Sequence, residues 1–202
     1  MDHVCIFIDG SNFYHALKRA GLPTRIDFSK LASALVGRDR KLMQTFYYNT
    51  PRVRPSRTDP DYSTREQQYR DQQRFFGALR FVPNLTLKLG RFQKIRRAGD
   101  DVTCPSCNHP FKVTDSTTYV EKGVDVMLAT DLLVHAMKAH YDVAILISSD
   151  ADYKYAVERA KLEFGKVVEL HQVEGARCYD LISACSDYRP ITEAIIQSCL
   201  RE

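Results

Sequence analysis

Short apolar runs alternate with amphipathic segments along most of the chain. The first run, VCIFI at 4–8, is β-branched and aromatic, and the segment FYHALKRAG repeats apolar side chains at helical spacing up to Gly21. This pattern predicts a strand, a tight turn and a helix. By the same criteria we predict further strands at 42–50, 84–92, 143–147 and 166–170, and further helices at 28–36, 63–80, 124–139, 153–164, 177–184 and 191–200.

The run at 143–147 (VAILI) contains no polar residue, which is typical of a central parallel strand covered on both faces. Strands that alternate with helices predict an α/β fold, here a doubly wound, mainly parallel sheet with helices on both faces. The length of 202 residues fits a single domain. Within it, residues 91–120 become basic, then cysteine-containing, then threonine-rich, which indicates a small hairpin or zinc-knuckle insertion.

The composition is typical of a compact folded protein, since 44% of the residues are hydrophobic and 27% are charged. It excludes a disordered or fibrous chain. The first apolar run is far shorter than the about 18 residues of a membrane span, and Asp2 and His3 stand where a secretion signal would be basic. We therefore expect a cytoplasmic protein without a membrane segment.

The net charge of +4 conceals a strong asymmetry along the chain. Residues 40–97 contain 14 Lys or Arg and 4 Asp or Glu. The rest of the chain contains 15 Lys or Arg and 21 Asp or Glu. Arginines near tyrosines suit phosphate contact and base stacking on single-stranded nucleic acid, although a charged run is also typical of a solvated surface. The candidate nucleic-acid-binding residues are Arg52, Arg54, Arg57, Lys88, Arg91, Lys94, Arg96 and Arg97.

Acidic side chains follow two of the predicted strands. Asp9 ends the first strand, and Asp150 and Asp152 follow the strand at 143–147. Ligands of open α/β sheets bind at the carboxyl ends of the strands, so these positions are candidates for a binding site. Helix capping explains any one of these residues alone, but it does not require both strand ends to be acidic.

Asp125 lies on the helix predicted at 124–139, on a stripe of apolar residues where an unpaired carboxylate would be costly. We expect a cation beside it, either Lys122 or a metal ion shared with the strand-end carboxylates. Asp131 lies about 120° around the same helix, so we expect it only in a supporting position. Asn12 can orient a carboxylate, a water or a phosphate oxygen, or simply complete the first turn of its helix.

A cluster of carboxylates favours Mg²⁺ or Mn²⁺ over softer metals. Such an ion lowers the pKa of a water molecule and neutralises charge on a phosphodiester, so the residues predict metal-dependent phosphoryl chemistry. The sequence contains no GxxxxGK[ST] or GxGxxG motif. A haloacid-dehalogenase-like phosphatase needs a second Asp at the position of Ser11. A receiver domain needs a pair of acidic residues at the end of the first strand, where Asp9 is alone. The sequence therefore fits neither class.

Three segments, IFIDGSNFYHAL at 6–17, EKGVDVMLATDLL at 121–133 and ILISSDADYKYAVERAKLEFGKVVEL at 145–170, resemble the signature blocks of the NYN domain family of the LabA type. This family is a branch of the PIN-like nuclease superfamily. The resemblance implies a PIN-like fold and an Mg²⁺- or Mn²⁺-dependent endoribonuclease that acts on RNA. The site residues that it implies are Asp9, Asn12, Asp125, Asp150 and Asp152, with Glu121 and Asp131 as candidate additions.

One position departs from the family pattern, because Ser149 stands where the family often has glycine before the aspartate of the last block. The family also includes members without proven nuclease activity. The alternative function is therefore a non-catalytic RNA- or protein-binding module that keeps the PIN-like fold.

Cys104 and Cys107 form a CxxC pair within CPSCNHPF. Such a pair supplies two of the four ligands of a structural zinc site. His109, another cysteine or the same pair of a second subunit would have to complete the site, and a symmetric homodimer is the simplest way to gain four thiolates. A redox pair and a pair without function are the alternatives.

Overall fold

The computed structural model describes residues 1–97, 101–112 and 116–201. The strands are β1 (Asp2–Asp9), β2 (Arg40–Asn49), β3 (Leu85–Leu89), β4 (Arg91–Arg97), β5 (Asp101–Thr103), β6 (Pro110–Lys112), β7 (Ser116–Lys122), β8 (Val143–Ile147), β9 (Val167–Val173) and β10 (Asp187–Ile191). Six of them form the main sheet in the order β10-β9-β8-β1-β2-β3, and every neighbouring pair in that sheet is parallel.

Helices cover both faces of this sheet, as the sequence predicts. They are α1 (Gly10–Arg19), α2 (Phe28–Val36), α3 (Tyr62–Leu79), α4 (Val124–Met137), α5 (Lys154–Phe164), α6 (Tyr179–Ala184) and α7 (Glu193–Ser198). Alternate residues of β1 enter two separate cores. Ile6 and Ile8 belong to the core shared with α1, α2, α3 and α7, and Cys5 and Phe7 to the core shared with α4, α5 and α6.

The bounds of α2 and β8 are those predicted from the sequence. Oδ1 of Asp27 accepts the amide hydrogens of Ser29 and Lys30 at 2.9 and 3.1 Å, which begins α2. Gly37, with φ of 81°, ends the helix in a conformation that favours glycine. All five residues of β8 are buried, which agrees with the absence of polar residues in the run.

Two predicted elements differ from the structure. The strand predicted at 84–92 is interrupted at Gly90, where a Cβ would lie 2.8 Å from the carbonyl oxygen of Lys122, so this close approach requires glycine. The residues before Gly90 form β3, and those after it form β4 in a separate sheet. The helix predicted at 191–200 is present but shorter, as α7, and begins later because Ile191 is the last residue of β10, which pairs with β9.

The segment 91–120, predicted as a hairpin or zinc-knuckle insertion, contains antiparallel pairs. β4 pairs with β7, with Arg91 opposite Lys122, and β5 pairs with β6 in a smaller hairpin. Residues 98–100 and 113–115 of this segment lie outside the described residues. The β4–β7 ribbon starts at the carboxyl edge of the main sheet, since the amide of Gly90 donates to the carbonyl of Asn49 at 2.8 Å. Across the described ranges, no helix is long and apolar enough to cross a membrane.

Candidate active site

The strand order of the main sheet reverses between β1 and β8. From β1 the chain builds the sheet outward through β2 and β3, whereas β8, β9 and β10 extend it in the opposite direction. β1 and β8 are parallel neighbours with Ile8 opposite Ile147, so their carboxyl ends meet at one edge. This is the point at which open α/β sheets bind ligands. Asp9 ends β1 and Asp150 follows β8, so the structure places both at this edge.

Asp9 is buried, with 5% of its surface exposed. Its Oδ1 accepts the amide hydrogen of Asn12 at 3.0 Å, and its Oδ2 accepts the hydroxyls of Ser148 at 3.2 Å and Tyr153 at 3.3 Å. The first contact is a helix cap for α1, as the alternative interpretation of the sequence requires. The other two contacts go beyond capping, because they join Asp9 to the chain that follows β8.

The electrostatic environment of Asp9 disfavours its charged form. Burial raises its pKa to about 6, and the negative charge of Asp125 acts in the same direction, against the hydrogen bonds from the Asn12 amide, Ser148 and Tyr153. A carboxyl with such a pKa at the ligand-binding edge of an α/β sheet is a recognised sign of a functional site. The hydrogen bonds to Asp9 therefore do not offset the cost of its burial and the repulsion from Asp125.

Tyr153 connects two of the candidate carboxylates. Its hydroxyl lies 2.9 Å from Oδ1 of Asp125 and 3.3 Å from Oδ2 of Asp9, and only 1% of the residue is exposed. Burial and the nearby carboxylates raise the pKa of Tyr153, so it stays a neutral hydrogen-bond donor. The sequence pattern does not single out Tyr153, because an aromatic side chain at the start of a helix has the pattern of a core residue. Its position directly after the DAD sequence is the available signal.

Asp125 lies in the first turn of α4 and is exposed at the edge of the site. The expectation of a cation beside it is wrong for Lys122, since no ion pair joins Asp125 to any cation in the part of the chain that the structure describes. The physical reason is its exposure, because a carboxylate that keeps contact with water does not need an ion pair. Its protein partner is the Tyr153 hydroxyl.

The loop after β8 brings Asp150 to the same edge, and Asp152 follows it in an exposed position. Oδ1 of Asp150 accepts the amide hydrogen of Asp152 at 3.0 Å, and the amide of Asp150 donates to Ser148 Oγ at 3.1 Å. Oδ1 of Asn12 accepts the amide hydrogen of Ser149 at 3.0 Å, so Asn12 fastens the start of α1 to this loop. Among the described residues, no three Asp, Glu, His or Cys side chains are grouped closely enough to hold one ion.

Asp131 belongs to a separate polar cluster on α4. Its Oδ2 accepts the hydroxyl of Tyr48 at 2.8 Å and lies 2.6 Å from Nζ of Lys88. The ammonium of Lys88 also lies over the ring of Phe46. Lys88, a candidate for nucleic-acid binding, is thus engaged in an ion pair at the sheet, and Asp131 does not contact Asp9, as the helical spacing predicts.

The other basic candidates lie in the loop after β2 and in β4. Nη2 of Arg54 lies 3.3 Å from Oε1 of the buried Glu66, which also pairs with Arg70 at 3.0 Å, so Arg54 attaches the proline-rich loop to α3. The side chains of Arg96 and Arg97 lie outside the described residues. The exposed candidates are Arg52, Arg54, Arg57, Arg91 and Lys94.

Cys104 and Cys107 occupy the turn of the β5–β6 hairpin. The amide of Cys104 donates to the carbonyl of His109 at 3.0 Å, and the amide of Asn108 donates to the carbonyl of Cys104 at 2.8 Å. The amides of Ser106 and Cys107 and the Cys107 thiol lower the pKa of Cys104, which favours the thiolate form that binds metals. Both thiols are free.

Residues 3–192 match the NYN domain. The chain belongs to the NYN domain family. This family is part of the PIN-like nuclease superfamily, so the resemblance stated from three sequence blocks is confirmed, and so is the α/β fold that it implies. No curated protein sequence matches this NYN protein significantly.

The fold is also similar to the crystal structure of a protein of unknown function from Vibrio parahaemolyticus RIMD 2210633. The two chains share 20% sequence identity with a TM-score of 0.61, and the alignment covers 94% of this chain and 93% of the other. At this identity the similarity concerns the fold alone.

Proposed function

We propose that this NYN protein is an endoribonuclease that hydrolyses phosphodiester bonds of RNA with Mg²⁺ or Mn²⁺. The observation that carries the proposal is the pair of carboxylates at the strand reversal, Asp9 and Asp125, which share the hydroxyl of Tyr153. The NYN family supports nuclease chemistry in general. The strongly basic segment at 40–97 supports a polyanionic substrate.

The chemistry of the residues at this edge suits a divalent cation, but the described residues contain no preformed group of three ligands. Their carboxylate oxygens are the donors that Mg²⁺ and Mn²⁺ prefer. Burial, with the charge of Asp125, raises the pKa of Asp9, and a bound cation would favour the charged form of this carboxyl. Asp9, Asp125 and Asp150 would hold the ion, with Asp152 as a further ligand. When bound, such an ion lowers the pKa of a water molecule and neutralises charge on the phosphodiester.

The remaining residues would position these groups. The buried hydroxyls of Ser148 and Tyr153 hold one oxygen of Asp9 in a fixed direction. Asn12 holds the loop after β8 against the start of α1, so the positions of Asp9 and Asp150 relative to each other are fixed. Arg52, exposed near this edge, would contact a phosphate of the RNA backbone.

Cleavage of labelled single-stranded RNA in Mn²⁺ tests the proposal. We expect EDTA to abolish cleavage and Asp9→Asn or Asp150→Asn to slow it by about 10²-fold or more, as loss of a metal ligand does. Asp142→Asn is the matched control, because Asp142 is exposed and precedes β8 at the opposite edge of the sheet. Activity that survives both active-site substitutions would show that a contaminating nuclease is responsible.

One observation favours a second candidate, a non-catalytic RNA- or protein-binding module. Asp9 and Asp125 already have hydroxyl partners, and the described residues contain no group of three metal-binding side chains. In that case RNA would bind with equal affinity with and without Mn²⁺ and would stay intact during prolonged incubation.

A further inference from the structure

A groove of about 570 Å³ opens beside the candidate active site. It lies between α1, α3 and the carboxyl end of β2, and its walls include the aromatic rings of Tyr14, Phe28, Tyr47 and Phe75. Its volume is in the range of small-ligand sites, about 300–1,000 Å³. Of the residues that line it, the proposed function uses only Arg52.

The groove is continuous with the acidic edge through two neighbouring residues. Gly10 follows Asp9 directly, and a Cβ on Gly10 would lie 2.3 Å from the ring of Tyr47, so the first turn of α1 rests against that ring. Ser11, the next residue, lines the groove. Tyr47 pairs in register with Ile8, one position before Asp9. A ligand in the groove would therefore lie against the first turn of α1, the helix that Asp9 caps.

The wall of the groove suits a flat ring with a polar edge. The ring of Tyr47 packs edge-on against Phe28 at 5.0 Å and Phe75 at 5.8 Å, which fixes a rigid aromatic floor. Tyr14 is 38% exposed, and the ammonium of Lys18 lies over its ring at 5.6 Å from the centre, so a base would stack on the part of the ring that Lys18 leaves exposed. Thr50 also lines the groove, and its buried hydroxyl has no hydrogen-bond partner within the described residues.

The rim adds a cation close to the acidic edge. The backbone amide of Arg52 donates to Oε1 of Gln72 at 2.6 Å, and the side-chain Nε2 of Gln72 donates to the carbonyl of Thr50 at 3.2 Å. These bonds fix the backbone of the loop on α3 and leave the guanidinium of Arg52 exposed. Asp71 and Glu121 line the same groove, so its interior is not a site for a second phosphate.

We propose that this groove binds one nucleobase of single-stranded RNA, next to the phosphodiester held at the acidic edge. The proposal rests on the proposed function for the position of the cleaved bond. Bases of single strands stack on aromatic side chains, whereas the backbone follows cationic groups, and here Tyr14 and Arg52 line the same groove and supply the two kinds of contact.

Photo-crosslinking tests the groove independently of cleavage. Single-stranded RNA oligonucleotides that carry one 4-thiouridine, moved position by position, are bound to the full chain in Ca²⁺ and irradiated, and the linked peptide is identified by mass spectrometry. We expect one position to crosslink to the α1 peptide around Tyr14. An abasic residue at that position should weaken binding about fivefold or more, as loss of one stacked base does.

Tyr14→Ala should produce the same loss of affinity, and it should cause no further loss with the abasic RNA, because both changes remove one contact. Tyr155→Ala is the matched control, since Tyr155 is 69% exposed on α5. Additive losses, or crosslinks confined to the β4–β7 ribbon, would overturn the proposal even if RNA is cleaved. Position-specific crosslinks without cleavage in Mn²⁺ would support base binding in the groove and contradict the proposed nuclease activity.

Discussion

Replacing Glu169 by glutamine should make the stability of the protein less dependent on acid. Glu169 lies in β9 with 4% of its surface exposed, and its Oε1 is 2.8 Å from Nη1 of Arg40 and 3.3 Å from Nη2 of Arg189. Its Oε2 lies 3.5 Å from Nε2 of His171. Burial alone would raise the pKa of Glu169, but contact with His171 and the two guanidinium groups lowers it to about 2.

The size of the effect follows from this shift. A carboxyl whose pKa is about 2 in the folded chain and 4.5 in the unfolded chain contributes about 3 kcal/mol to the free energy of unfolding. Because the folded pKa is depressed, this contribution is complete above the unfolded pKa and is lost as the pH falls towards the folded pKa. More than half of it should be gone by about pH 3.

Urea unfolding of the wild type and Glu169→Gln at pH 7, 5, 4 and 3 measures this contribution. We expect the variant to be less stable by about 3 kcal/mol at pH 7, with Arg40 left unpaired, and the difference to narrow in acid. Glu163→Gln is the matched control, because Glu163 forms an exposed pair with Arg159 on α5. A difference that stays constant from pH 7 to 3 would refute the electrostatic explanation.

Three further predictions concern the candidate sites. Tyr153→Phe should slow RNA cleavage in Mn²⁺ about tenfold, whereas Tyr155→Phe should not; equal rates would show that the shared hydroxyl does not organise the carboxylates. Replacing the arginines of the proline-rich loop by glutamine should reduce the salt dependence of RNA binding by about 0.7 in logarithmic slope per lost phosphate contact, and an unchanged slope would place the path along residues 88–97. These arginines are Arg52, Arg54 and Arg57. Protein purified without chelator should contain at least one zinc per two chains, lost in Cys104→Ser, and native mass spectrometry should show a dimer. Much less zinc would exclude the site, and a zinc-loaded monomer would show that one chain completes it.

The sequence predicts β8 and α2 because each has a complete local signal. β8 has no polar side chain to obscure its pattern, and α2 has a cap at Asp27 and a stop at Gly37. β10 escapes prediction because it is an edge strand with the sequence DYRPI, in which only Ile191 is buried. Its conformation comes from pairing with β9, which is a tertiary contact that local sequence does not encode.

Part of the candidate site can likewise be predicted from the sequence, and part of it cannot. The positions of Asp9 and Asp150 follow from strand ends and the rule for parallel sheets, so sequence alone is sufficient to propose them. The contact of Tyr153 with Asp9 depends on the turn at 151–153, which brings the Tyr153 hydroxyl towards the end of β1. Asp152 is exposed in the same turn, and no spacing rule separates it from Asp150.

The hydroxyl of Tyr153 has one hydrogen, yet it lies within hydrogen-bond distance of two carboxylates, Asp125 and Asp9. At any instant only one of them receives that hydrogen fully, and the other faces a lone pair of the phenol oxygen. The fold is therefore locally frustrated at this point, although its surroundings are consistently packed. Natural sequences retain such conflicts chiefly where an external partner relieves them. A proton on Asp9 or a cation between the carboxylates would each resolve the conflict, so proton and cation should compete for this edge.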